Sequence, residues 1–126
     1  MTLSELRTAV LQELGVLASG ETATAADDQL VADKNSALYD MLLTEGLVAW
    51  TASEDIPEYA ETPITYMLAW LCLNPFGIVG EMAERITRLG ALNLPASEGG
   101  PSLAERILRR QLAKKYVPYP AQSEYF

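Results

Sequence analysis

TPITYMLAWLCL, residues 62–73, is the stretch on which the fold turns. Ile64, Met67, Leu68, Trp70, Leu71, Cys72 and Leu73 leave almost no polar face, so a helix over these residues must be enclosed on nearly every side. Pro63 suits the first turn, where its missing N–H would have no partner in any case. Asn74, Pro75 and Gly77 interrupt the apolar run after about eleven residues, too few to cross roughly 30 Å of hydrocarbon. The segment therefore reads as the central helix of a protein core and not as a membrane span.

Amphipathic segments flank this hub on both sides. Upstream, Thr2 and Glu5 have capping-box spacing, and Leu3, Leu6, Val10, Leu11 and Leu14 share one helical face that ends at Gly15. Thr24 is placed to cap a second helix, with Asp27 and Asp28 in its first turn, an inner stripe of Leu30, Val31, Leu38, Met41 and Leu42, and Gly46 at its end. Trp50 is expected to fold back onto the core, and Pro57 keeps the following loop out of helix. Downstream, Ile78, Val79, Met82, Ala83, Ile86 and Leu89 form a one-sided stripe that stops at Gly90. A Gly- and Pro-rich loop follows. Ser102 and Glu105 repeat the capping-box spacing and start a fifth helix with Leu103, Ile107, Leu108 and Leu112 facing inward. The expectation is an all-α fold, a small bundle of about five helices over residues 1–113, with an extended Pro/Tyr-rich C-terminal arm over residues 114–126.

Length and composition agree with one domain. The 126 residues are 49% apolar, rich in Leu and Ala, with one cysteine and no histidine. One cysteine forms no intrachain disulfide, and without histidine neither a Ser-His-Asp nor a Cys-His catalytic set can be built. Paired carboxylates at Glu81/Glu84 and Glu58/Glu61 have a spacing that could serve a cell-wall hydrolase, but such pairs are common on helices, and Glu81 or Glu84 can pair with Arg85 or Arg88. Asp27, Asp28 and Asp33 lack the alternating ligands and glycine of a calcium loop. The reading is a protein without enzymatic activity, cofactor or metal. A small helical protein-interaction module of another kind is the remaining alternative. The N-terminus has neither the basic start nor the apolar block of a secretory signal.

Charge is segregated along the chain. Residues 1–61 hold twelve acids against two bases, whereas residues 62–126 hold five acids against seven bases, within an overall net charge of −8. The two halves are complementary, which suits a head-to-tail contact between copies. Arg106, Arg109, Arg110, Lys114 and Lys115 on the basic side, and Asp55, Glu58 and Glu61 on the acidic side, are the candidates for contacts between subunits or with a further partner. Free duplex DNA would demand a stronger cationic footprint.

The chain closes KKYVPYPAQSEYF, residues 114–126. Pro118 and Pro120 cannot continue a helix, so the segment should leave the fifth helix extended and without internal hydrogen bonds. Its rings either pack back over the bundle or dock on a partner. Four aromatics in thirteen residues favour docking, because Tyr and Phe supply contact area at low entropic cost.

LRTAVLQELGV (residues 6–16), ALYDMLLTEGLV (37–48), the Ile56-Pro57 pair followed by YMLAWLCLNPFG (66–77) and the terminal YVPYP together resemble the head-to-tail adaptor proteins of short-tailed phages, also called tail accessory or packaged-DNA stabilisation proteins. The resemblance runs in order through most of the chain, and each block is a packing pattern. It implies a subunit made in the host cytoplasm and incorporated at the head-tail junction of the virion. There, twelve copies would form a ring beneath the portal protein and receive the tail nozzle on the opposite side. Tyr116, Val117, Pro118, Tyr119, Pro120, Tyr125 and Phe126 would then be the portal-binding arm, while Asp55–Thr62 and the Gly90–Pro101 loop would be sites of ring or tail contact. A ring lined with acids would let duplex DNA pass without sequence-specific binding, since like charges repel.

Overall fold

A computed structural model describes residues 1–116, with side chains through Ala113. Five α-helices account for most of the described residues, among which there is no strand: α1 Leu3–Glu13, α2 Ala25–Thr44, α3 Glu61–Cys72, α4 Glu81–Gly90 and α5 Leu103–Tyr116. Two short 3-10 turns, Glu58–Ala60 and Ala96–Glu98, precede α3 and α5. Helix α3 is the hub, packed against each of the other four helices. Around it, α1 packs on α2 and α4 packs on α5.

The reason is the composition of α3. Ile64, Met67, Leu68, Ala69 and Cys72 are buried, and Trp70, Leu71 and Leu73 are partly buried against the same core. Around them close Leu6, Val10 and Leu11 from α1, Val31, Leu38 and Leu42 from α2, Ile86 from α4, and Ala104 and Leu108 from α5. Desolvation pushes the Cys72 thiol from its ordinary 9.0 up to about 11, as expected of a small core residue shielded from water.

The first two caps form as the sequence indicates. The Thr2 side chain accepts from the Glu5 N–H at 3.1 Å and the Glu5 carboxylate accepts from the Thr2 N–H at 2.8 Å, which also holds the Glu5 carboxyl below its usual range. Thr24 accepts from the Asp27 N–H at 3.2 Å and starts α2. Trp50 folds back on the core, where the Tyr39 hydroxyl donates to its carbonyl at 2.7 Å.

Four details differ from the periodicity. Helix α3 starts at Glu61, so Pro63 is its third residue and not its first; any of the first four N–H groups lacks an intrahelical acceptor, so proline costs no bond there either. Val79 faces outward, 81% exposed, because α4 begins only at Glu81, after Gly80 turns the chain with φ +77°. Leu103 is 37% exposed while Ala104 and Glu105 are buried, which rotates the inner face of α5 by one residue. Helix α5 continues through Tyr116 and so takes in the first three residues of the expected arm.

Gly90 ends α4 where the stripe was expected to stop, and it has a second role. It is the last residue of α4, it lacks the positive φ of a glycine cap, and it lies directly on the backbone of α3. A Cβ at this position would fall 2.9 Å from the Met67 nitrogen and closer still to the Tyr66 carbonyl. The glycine lets two helix backbones touch.

Candidate functional site

The surface candidates fall into three groups: the outer face of α5, the acidic segment before α3, and the terminal arm. On α5, Glu105 is the pivot. Its N–H is capped by the Ser102 hydroxyl at 3.2 Å, but its carboxylate does not return to the cap as a capping box would. One oxygen accepts from the Asn93 N–H at 2.9 Å, and the other accepts from the Arg109 Nε at 2.9 Å. The Glu105 side chain is only 5% exposed, so these two donors are what make burial of the carboxylate tolerable. Arg109 reaches further, to Glu45 at the C-terminal end of α2, at 3.4 Å. The loop after α4, the start of α5 and the end of α2 are thus tied at one point. Asn93 takes φ +59° within this tie, an arrangement that asparagine tolerates better than most residues.

Arg109, expected to be available for contacts between subunits, is therefore engaged inside its own chain. Glu61 is engaged likewise, accepting from the α-amino group of Met1 at 2.9 Å; this hydrogen bond raises the basicity of the amine. Arg106, Arg110, Asp55 and Glu58 are exposed and make no ion pair among the described residues. The side chains of Lys114, Lys115 and Tyr116, and all of Val117, Pro118, Tyr119, Pro120, Tyr125 and Phe126, lie outside the described part.

The carboxylate pairs do not assemble into a catalytic arrangement. Glu58 is exposed in the 3-10 turn, while Glu61 is bound to the Met1 amine. Glu81 and Glu84 stand exposed in the first turn of α4, where the helix dipole favours their negative charge, along an open depression shared with Arg85 and Arg88. Arg85 turns away from them to Glu13 on α1, 2.9 Å distant, and this hydrogen bond raises the guanidinium pKa. Asp28 pairs with Arg7 at 2.9 Å and Asp33 accepts from Gln29 at 2.8 Å, so Asp27, Asp28 and Asp33 do not converge. Among the described residues no three potential metal ligands come together, and no helix is long and apolar enough to cross a membrane.

Charge segregation survives folding. Two second-half arginines, Arg85 and Arg109, cross to first-half acids. Eight first-half acids, Glu5, Glu21, Asp27, Asp33, Asp40, Glu54, Asp55 and Glu58, remain outside ion pairs among the described residues. Some of them serve the backbone: the Glu54 carboxylate accepts from the Thr51 N–H, which holds its carboxyl below the usual range.

The sequence reading missed one apolar feature, a crevice of about 40 Å³ between α2 and the segment that follows it. Leu38, Tyr39, Trp50, Ala52, Ile56 and Ile64 are among the residues lining it. Tyr59 stands edge-on to Trp50, with ring centroids 6.4 Å apart. No periodic pattern announces this crevice, because part of it, Trp50, Ala52 and Ile56, comes from the irregular 47–57 segment. No family model, curated protein or solved structure matches the chain.

Proposed function

We propose that the protein is a head-to-tail adaptor of a short-tailed phage. In this reading it assembles as a ring on the portal protein, extends the channel for packaged DNA, helps to retain that DNA and attaches the tail. The observation that carries this reading is the residual charge. After internal pairing, the first half of the chain still presents eight carboxylates outside ion pairs, while Arg106 and Arg110 on α5 are unpaired among the described residues. Surfaces of opposite sign on one subunit suit a heterologous contact that closes into a ring. Carboxylates turned to a central bore would keep DNA phosphates from adhering. The resemblance in the blocks at 6–16, 37–48 and 66–77, which fall on α1, the end of α2, and α3 with its exit turn, supports the same function.

The arm supplies the link to the portal. Its Pro-Tyr composition provides rings whose ordering costs little on binding. The test is the native mass of the full chain, alone and with the portal protein of the same virus. A complex with twelve adaptor subunits per portal ring is expected, and deletion of Val117–Phe126 should abolish it while leaving the helical signal intact. A complex that forms equally well without those residues, or none with the full chain, would remove the proposal.

A further inference from the structure

We infer that the outer face of α2 receives the outer face of α5 from a second copy of this chain. On α2, Asp33, Ser36, Asp40 and Leu43 follow one another at i, i+3, i+7 and i+10, and all four are exposed. On α5, Leu103, Arg106, Arg110 and Ala113 repeat that spacing and are exposed as well. Residues so spaced form a straight row along one side of a helix, here about 15 Å long at 1.5 Å per residue. Each row lies opposite the buried side of its own helix, which is made by Val31, Leu38 and Leu42 on α2 and by Ala104 and Leu108 on α5.

Neither row is matched within its own chain. Asp33, Asp40, Arg106 and Arg110 make no ion pair among the described residues. The Asp33 carboxylate accepts only from the Gln29 side chain of its own helix. Within one chain α5 reaches the end of α2 through Arg109 and Glu45, and both of these stand outside the rows. Leu43 is 57% exposed and Leu103 37% exposed, so each row also leaves one leucine in water.

Charge and apolarity select the same partner and the same orientation. One row is acidic and the other basic, and neither contains a charge of the opposite sign. Laid antiparallel, Leu43 meets Leu103, Asp40 stands level with Arg106, and Arg110 falls between Asp40 and Asp33, about 6 and 4.5 Å along the axis from them. Helix axes pack about 8–10 Å apart, a gap that arginine and aspartate side chains span, while Ser36 and Ala113 are small enough to let the helices close. A parallel arrangement would set Leu103 against Asp33 and bury neither leucine on the other. Asp55 and Glu58, on a loop and a 3-10 turn before α3, offer no row of this kind. The two surfaces are unlike, so a copy engaged through its α5 keeps its α2 for the next, as closure of a ring requires. The inference deepens the reading of a ring-forming subunit and rests on it, but it needs neither the portal nor the terminal arm.

The experiment exchanges the charges. Sedimentation of the full chain is followed from about 5 to 500 µM at low salt and again at high salt. Association that rises with concentration and weakens in salt is expected, and it should persist without Val117–Phe126. Asp33→Lys/Asp40→Lys makes both rows basic, and Arg106→Glu/Arg110→Glu makes both acidic, so each variant alone should associate at least tenfold more weakly. An equimolar mixture of the two variants restores opposite signs across the contact and should recover the association, which also shows that both are folded. A parent that stays monomeric over this range overturns the inference, as do variants that associate like the parent, a mixture that recovers nothing, or association that is lost with the arm. None of these outcomes bears on portal binding, which is read from the native mass of the complex with the portal protein.

Discussion

Replacing Gly90 by alanine sets two well-known effects against each other. At the end of a helix, alanine is a better residue than glycine, by up to about 1 kcal/mol in an open site. Gly90, however, lies on the backbone of α3, and the added Cβ would sit 2.9 Å from the Met67 nitrogen and nearer the Tyr66 carbonyl, where ordinary contact begins at 3.4 Å. Both obstructing groups are main chain inside a helix, so no side chain can rotate away. Helices α3 and α4 must part by something on the order of 1 Å, and a close-packed core transmits that strain. Overpacking of this kind costs about 1–3 kcal/mol, sometimes more, and the separation also loosens Ile86 against the hub. The net expectation for Gly90→Ala is a loss of about 2 kcal/mol or more. With a urea dependence of roughly 1.5 kcal/mol per molar for a chain of this size, the unfolding midpoint should fall by more than about 1 M. Gly46→Ala serves as the comparison. Gly46 has φ +72° with nothing within 4 Å of the added carbon, so only left-handed strain of about 1 kcal/mol applies. Urea titrations followed by far-ultraviolet circular dichroism would measure both. A Gly90→Ala midpoint equal to or above that of the parent would refute the close-approach argument.

Further expectations follow from the caps, the polar tie and the buried thiol. Glu105→Ala should cost about 2–3 kcal/mol, because it strips the Asn93 N–H and Arg109 of an acceptor in a nearly closed site, and the Asn93 amide should lose its protection from hydrogen exchange. Unchanged exchange at Asn93 would mean that another group holds the loop. Thr24→Ala should lower stability by about 1 kcal/mol, with Thr24→Ser close to neutral, as read from thermal or urea midpoints. Met67→Ala, which empties a fully buried position on α3, should cost about 2–5 kcal/mol on the same measurement. The Cys72 thiol is raised from 9.0 to about 11 in the folded state, so it contributes stability that is complete below pH 9 and is lost as pH rises toward 11. Two units correspond to at most about 3 kcal/mol. The difference in urea midpoint between the parent and Cys72→Ala should therefore shrink between pH 8 and pH 10.5, and a constant difference would show that the thiol is not desolvated.

The number and order of the helices, the central place of α3 and the caps of α1 and α2 can be read before folding is considered, because they depend on local periodicity and on side chains that act within four residues of their own backbone. Thr2 with Glu5, Thr24 with Asp27, and the nearly all-apolar 64–73 run are legible for that reason. The unbalanced charge was equally legible, since folding redistributes charge without creating it. Contacts between residues distant in the chain emerge only when the helices pack. The meeting of Arg85 with Glu13, of Arg109 with Glu45, and of Gly90 with the carbonyl of Tyr66 depends on how helices cross, and no pattern within either partner's own segment specifies it. The Trp50 crevice belongs to the same class, because its walls come from α1, α2, α3 and an irregular segment that periodicity does not describe. Glu105 shows both levels at once: its spacing from Ser102 announced a helix start, but packing against the 91–102 loop gave its carboxylate to Asn93 and Arg109, since a buried carboxylate takes the donors that the fold brings to it.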